Sequence, residues 1–184
     1  RFNEHKYSFK NIGDTVYDRT LSLIDFGVKK RHKIALFLPD PIDFIEAYLA
    51  CYKLQSPSII LNHKWGQGEL DSSLRTVPPD FIICNYKYKS LFLKLKKPII
   101  FIEELSKSFG SCYAAKIDDN IDKDSIQSIL FTSGTQGLPK PVCLTYDNFY
   151  QSSIKWEKAI NLSKNDEYLL SLPLYHIAGL AIIM

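Results

Sequence analysis

Five short runs of apolar residues set the architecture open to this chain: Ile34-Ala35-Leu36-Phe37-Leu38, Ser58-Ile59-Ile60-Leu61, Phe81-Ile82-Ile83-Cys84, Pro98 to Ile102, and Ser128 to Thr132. Successive side chains on a strand point to opposite faces, so a run that is apolar at consecutive positions has two faces to bury. A sheet wet on one side would instead alternate apolar with polar residues. Stretches between the runs carry helical spacing. Leu70, Leu74 and Val77 stand at i, i+4 and i+7, and Phe149, Ser153, Trp156 and Ile160 share another helical face. Strands alternating with helices, and buried on both sides, predict an α/β fold: a layered, mostly parallel sheet flanked by helices. Apolar residues make up 46% of the 184, enough for one sizeable core. We read the chain as one α/β domain.

Local signals place the elements. Asp14 is an N-cap candidate for a helix running to about Val28. Asp43 with Glu46 has capping-box spacing for a helix to Leu54. Tyr86 to Lys97 interleaves Lys87, Lys89, Lys94, Lys96 and Lys97 with aromatic and leucine residues. Such a stretch can meet an anionic ligand or RNA, and we read it as an amphipathic surface helix with a solvated lysine face. Pro98 suits the first position of a strand. Residues 103–125 have no strong period and read as a loop or a subdomain edge. Tyr168 to Leu172 reads as the last strand, and a helix begins near His176. That helix would stop after about two turns at Met184, and the chain starts at Arg1, so the expectation is a piece of a longer protein.

Charge and cysteine content exclude several classes. A net charge of +3 is too mild for a nucleic-acid-binding face. Cysteines stand at 51, 84, 112 and 143, with no C-x-x-C pair, which argues against zinc. Cys51 and Cys84 lie in apolar runs and are expected as free buried thiols, in keeping with a reducing cytoplasm. No apolar stretch approaches the ~18 residues of a membrane span, and no signal peptide is visible. Oligomeric state is not legible. Trp65 and Trp156 read as core or interface anchors, and His5, His32 and His63 as structural histidines.

The chemistry concentrates in Thr132-Ser133-Gly134-Thr135-Gln136-Gly137-Leu138-Pro139-Lys140, directly after the run Ile129-Leu130-Phe131. Glycines let backbone N–H groups approach phosphate oxygens closely. Hydroxyls add donors, and Lys140 adds a point charge. A Ser/Thr/Gly surface turn is the plain alternative. The spacing is not the mononucleotide pattern G-x-x-x-x-G-K-[ST], nor the dinucleotide pattern G-x-G-x-x-G, which speaks against a P-loop kinase or GTPase. In open sheets ligands sit beyond the carboxyl ends of strands, where this segment falls.

The nine residues resemble T-S-G-T-x-G-x-P-K, the phosphate loop of the adenylate-forming superfamily of acyl-CoA ligases, peptide-synthetase adenylation domains and luciferases. Tyr168 to Leu180, with Pro173-Leu174-Tyr175-His176 and a small-residue turn, resembles that superfamily's next motif. Within it, Ser152 to Ile183 looks most like the o-succinylbenzoate–CoA ligases of menaquinone synthesis. Tyr7-Ser8-Phe9 matches a short aromatic opening strand, and Ser58 to Asn62 matches a strand ending in Pro-Leu-Asn, with Ile60 in place of proline. The resemblance covers nearly the whole chain and implies the N-terminal portion, residues 1–184, of a longer AMP-binding (adenylation) domain.

The resemblance implies a carboxylic acid and ATP as substrates, coenzyme A as acyl acceptor, and Mg²⁺ as cofactor. It implies phosphate contacts from Thr132, Ser133, Gly134, Thr135, Gln136, Gly137 and Lys140, and an acid pocket with His176 near the carboxylate and Tyr175 and Gly179 in its wall. Gln136 stands where Ser or Thr is usual, and Pro141 where Gly or Ala is common. Pro141 lacks an N–H and is expected to stiffen the loop's exit. No catalytic residue and no metal ligand maps onto these 184 positions, because the family's later segments supply them. The piece alone is therefore expected to be inactive, its partner being the remainder of the same polypeptide. The competing readings are a non-catalytic nucleotide-binding or scaffolding module, and a ligase for another aryl or fatty acid.

Overall fold

All five apolar runs become strands. The structure is a computed structural model that describes residues 6–105, 120–132, 139–163 and 165–184. Strands β1 (Ile34–Phe37), β2 (Ser58–Ile60), β3 (Phe81–Cys84), β4 (Ile99–Phe101), β5 (Ile126–Thr132) and β6 (Lys140–Thr145) form one sheet. Its order is β4-β3-β1-β2-β5-β6. Every pair is parallel except β5 with β6, which is antiparallel. Helices α1 (Phe9–Asp25), α2 (Pro41–Lys53), α3 (Gln67–Thr76), α4 (Tyr146–Ile160) and α5 (Ile177–Leu180) accompany it.

The two-faced burial read from the sequence is what the packing shows. Ile34, Leu36, Leu38, Ile60 and Ile83 join Leu23 of α1 and Phe44, Ala47 and Tyr48 of α2 in one cluster. The residues between them, Ala35, Phe37, Ile59 and Ile82, join Leu70 and Leu74 of α3 and Phe92 in the other. Burying each Leu, Ile or Phe contributes about 1.5–3 kcal/mol, so the alternation fixes strand register strongly.

Polar contacts fix the helices. Asp40 accepts from the N–H groups of Ile42 (2.9 Å) and Asp43 (3.1 Å), with Pro41 at the first helical position. Thus α2 starts at Pro41, ahead of the expected Asp43–Glu46 box. Glu46 turns instead to Arg19 of α1, 2.7 Å away, and Arg19 also reaches Asp43 at 3.2 Å. Tyr48 of α2 shares hydrogen bonds with Ser128 (2.9 Å) and Gln127 (2.6 Å) of β5. A one-residue irregularity in the β5–β6 ladder at this point brings both neighbours to the same hydroxyl.

Several expectations are corrected. Tyr7-Ser8-Phe9 is no strand: Ser8 caps α1 by accepting the Asn11 N–H at 3.0 Å, so the helix begins five residues before Asp14. It ends at Asp25, because Gly27 takes φ +85° and the Val28 N–H turns back to the Leu23 carbonyl. The lysine-rich stretch is two 3₁₀ turns, Tyr86–Leu91 and Leu93–Leu95, not an amphipathic α-helix. Tyr88 and Leu91, and Phe92 and Leu95, are three apart, and all four pack on the α3 face. That repeat matches a 3₁₀ period rather than 3.6. Tyr168 to Leu172 is not a strand; among the described residues no strand lies beside it to complete a ladder, and Leu169 is 80% exposed. Strand β6 was not anticipated. Its Pro141 is tolerated because β6 is the outermost strand.

Candidate functional site

Connections from β1 and β2 leave on opposite faces of the sheet. After β1 the chain enters α2 on one side, and after the adjacent β2 it enters α3 on the other. Adjacent strands whose connections part in this way open a crevice at their carboxyl ends. A cleft of about 240 Å³ lies there. Leu38, Pro39, Pro41 and Phe44 line it from the β1 side, Leu61 and His63 from the β2 side, and Leu170 to Tyr175 form its roof.

The roof is held by α5. Leu180 is fully buried in the α2-side core, and Ile183 and Met184 pack against the same cluster. The His176 N–H donates to the Pro173 carbonyl at 3.1 Å, and the Leu180 N–H to the His176 carbonyl at 3.0 Å. Gly179 is required by this turn. A Cβ there would lie 2.7 Å from the Pro173 carbonyl carbon and 2.8 Å from the Leu172 carbonyl oxygen, nearer than real Cβ contacts come. The glycine therefore lets the helix back touch the roof backbone.

The three residues expected to form an acid pocket divide. Tyr175 lines the cleft and is half-buried, whereas His176 is exposed and lies outside the lining. Gly179 is buried behind the roof rather than open to the cleft. Three rings nonetheless run in a chain from the cleft outward. The His63 ring stands edge-on to Tyr175, centroids 5.0 Å apart at 85°, and Tyr175 lies 4.7 Å from His176. His63 was read from the sequence as structural. Its place in the lining was missed because nothing in Asn62-His63-Lys64 distinguishes it until β2 and the roof are set side by side. Burial holds the His63 pKa below its usual value, with Lys64 adding to the shift, so the imidazole is neutral at pH 7.

Of the residues expected to contact phosphate, Thr132 and Lys140 lie within the described residues. They face each other as the closing pair of the β5–β6 ladder, and both are exposed. The Thr132 Oγ1 donates to the Lys140 carbonyl at 3.4 Å. Ser133, Gly134, Thr135, Gln136 and Gly137 lie outside the described residues. Since β5 runs parallel to β2, Thr132 and Lys140 sit at the same end of the sheet as the cleft. Phe131 of β5 meets Trp65, just past β2, ring to ring at 5.5 Å and 74°, which gives Trp65 the anchoring role expected of it. Trp156 is half exposed on α4.

Among the described residues, no group of three or more His, Cys, Asp or Glu could hold a metal ion. Cys51 and Cys84 are free and buried, and Cys143 is free and exposed. No helix among the described residues is long and apolar enough to cross a membrane.

Known proteins can now be set beside this geometry. The 2-succinylbenzoate–CoA ligase of Bacillus pumilus is 27% identical over 180 residues, covering 98% of this chain and 37% of that protein. The 2-succinylbenzoate–CoA ligase of a Geobacillus strain is 28% identical over 185 residues, covering 97% and 36%. The chain thus spans little more than a third of the length of these relatives. The Bacillus subtilis o-succinylbenzoate CoA synthetase, solved with the acyl-adenylate intermediate OSB-AMP, superposes with a TM-score of 0.90 at 24% identity, over 99% of this chain and 47% of that one. The same enzyme in complex with ATP and a magnesium ion gives 0.89 at 23% identity, over 98% and 48%. The AMP-binding enzyme family matches residues 2–184. A match over so nearly all of the chain makes it a member of the AMP-binding enzyme family.

Proposed function

We propose that this chain is the N-terminal portion of an ATP-dependent acid–CoA ligase, with o-succinylbenzoate as its acid. The observation that carries the reading is the pairing of Thr132 with Lys140 at the carboxyl end of the parallel sheet, beside a cleft at the point where strand connections part. In the first step an acid carboxylate oxygen attacks the α-phosphorus of ATP. An O–P bond forms, the bond from that phosphorus to the bridging oxygen breaks, and pyrophosphate leaves with the electron pair. In the second step the thiolate of coenzyme A attacks the acyl carbon and AMP departs.

On this reading the chain's own contribution is electrostatic and positional. Lys140 and the Thr132 hydroxyl offset negative charge on the departing phosphates, together with Ser133, Gly134, Thr135, Gln136 and Gly137. Tyr175 forms the wall of the acid cleft, His176 stands next to it on the outer side, and Gly179 sets the roof. Magnesium, when bound, would shield phosphate charge.

Pyrophosphate exchange into ATP, driven by o-succinylbenzoate, tests the reading on the full-length protein. Exchange is expected from the full-length protein and not from residues 1–184 alone. Lys140→Ala should slow exchange by about 100- to 1,000-fold, in line with the loss of one charge-stabilising donor, while leaving acid affinity within about twofold. Exchange with a fatty or other aryl acid but none with o-succinylbenzoate overturns the acid and keeps the class. Nucleotide binding without exchange on any acid points to the non-catalytic module.

A further inference from the structure

We propose that His63 is the acid-recognising polar group of the cleft, holding a carboxyl or carbonyl oxygen of a small aryl acid whose ring lies beside Tyr175. This rests on the ligase reading above and adds a specificity residue on the wall opposite the roof. The cleft lining is aliphatic, proline or phenyl except for His63, Ser171 and Tyr175. A pocket of that composition owes its selectivity to its few polar groups.

Three observations single out His63 among them. It follows β2 by three residues, at the crevice between β1 and β2, so a short connection carries it. Its ring orientation is set by the perpendicular contact with Tyr175. The ring is half-buried against the roof, yet its nitrogens are not among the side-chain atoms sealed from solvent without a partner, so they stay reachable from the cleft. A polar group at the wall of an apolar cleft and reachable from it can be met by solvent or by ligand. The neutral imidazole keeps one N–H, which can donate to a carboxylate or carbonyl oxygen.

Size defines the acid class. An apolar cavity of roughly 150 Å³ accommodates benzene. The cleft, about 240 Å³, has the volume for one aromatic ring with a short polar substituent, so a long acyl chain would have to run out through its open side.

Equilibrium dialysis of the full-length protein with radiolabelled o-succinylbenzoate, with benzoate and with palmitate tests this. His63→Ala should weaken binding of both aryl acids about tenfold or more, leave ATP affinity unchanged, and keep the thermal midpoint near that of the unaltered protein. His63→Gln, whose amide also donates and accepts, should recover most of the loss. A side chain that only props Tyr175 would lower the midpoint without this rescue. If His63→Ala misfolds, His63→Gln is compared with His63→Leu, and equal affinities for the aryl acids in those two overturn the proposal. So does unchanged aryl-acid affinity in His63→Ala, equal loss of acid and ATP, or tighter binding of palmitate than of benzoate by the unaltered protein. Aryl-acid binding that depends on His63, in a protein that performs no pyrophosphate exchange, would sink the ligase reading and leave this one standing.

Discussion

The substitution Gly179→Ala sets two opposed effects against each other at one position. Alanine is the better helix former, and in a helix interior the exchange is worth about 1 kcal/mol in its favour. At Gly179 the added methyl would come 2.7 Å from the Pro173 carbonyl carbon and 2.8 Å from the Leu172 oxygen. Both are backbone atoms of the cleft roof, so no side chain can swing aside. Relief requires moving α5, anchored by the fully buried Leu180, or lifting residues 172–175. Forced overpacking of this kind costs about 1–3 kcal/mol, and contact with backbone belongs at the upper end. The steric term therefore wins, for a net loss of about 1–2 kcal/mol. A domain of this length loses about 2–4 °C in midpoint per kcal/mol, giving a drop of roughly 2–8 °C by calorimetry. Gly13→Ala is the control. Gly13 lies inside α1 with nothing within 4 Å of an added Cβ, so the same exchange there should raise the midpoint. A midpoint for Gly179→Ala equal to or above that of the parent, with Gly13→Ala behaving as stated, would refute the argument that the glycine exists for close backbone approach.

Other perturbations probe the core. Tyr48→Phe strands the Gln127 amide and the Ser128 hydroxyl that share its oxygen, and should cost about 1–3 kcal/mol in urea unfolding without altering the slope. Arg19→Met leaves Glu46 and Asp43 without their cation and should cost about 3–5 kcal/mol; a loss below 1 kcal/mol would mean that the pair contributes nothing net. Burial raises the Glu46 pKa, Arg19 opposing it, so the folded state holds that proton more tightly than the unfolded chain does. The associated stability is present below the ordinary carboxylate value and is lost as pH rises through the raised one, and a series of midpoints across that window should lose this component in Glu46→Gln. Burial also pushes the Cys51 and Cys84 thiols up to about 12, so at pH 8 a thiol reagent should label Cys143 on the native protein and leave both of these unmodified until unfolding.

Where the sequence could be read and where it could not follows one physical line. Strand runs such as Phe81–Cys84 were legible to the residue because continuous apolar character has a single solution, a strand covered on both faces. Boundaries set by one capping hydrogen bond were legible only in part: Asp40-Pro41 outcompeted Asp43 for the start of α2 once Glu46 had a buried arginine to pair with. Elements that depend on a neighbour were not legible. Tyr168 to Leu172 has the composition of a strand, but a ladder needs a second chain segment beside it. Likewise β6 is a strand because β5 pairs with it, despite Pro141. The same holds at the site. Thr132 and Lys140 are candidates that the motif alone picks out, whereas His63 owes its position to the sheet order that brings β2 beside β1.

The antiparallel return of β6 bears on how an anion could be held after Thr132. In a mononucleotide P-loop the glycine-rich segment opens a helix, and the aligned peptide dipoles at the helix start favour phosphate. Here the chain leaves β5 at Thr132, re-enters the sheet at Lys140 and does not begin α4 until Tyr146. The cap of α4, Thr145, pairs with Ile126 at the far end of β5. A seven-residue strand rises roughly 3.3 Å per residue, which puts the start of α4 about 20 Å from the loop. The helix field fades within the first turn, and exposed charges are screened beyond about 8 Å at physiological salt, so α4 contributes nothing there. On the proposed function the phosphate charge falls to loop amides, hydroxyls and Lys140. Lys140→Arg, which keeps the charge, should therefore retain most exchange activity, whereas Lys140→Gln, which keeps donors but no charge, should lose nearly as much as Lys140→Ala. Equal activity in the Gln and Arg variants would show that the position supplies hydrogen bonds rather than charge, and would remove electrostatics from the account of this loop.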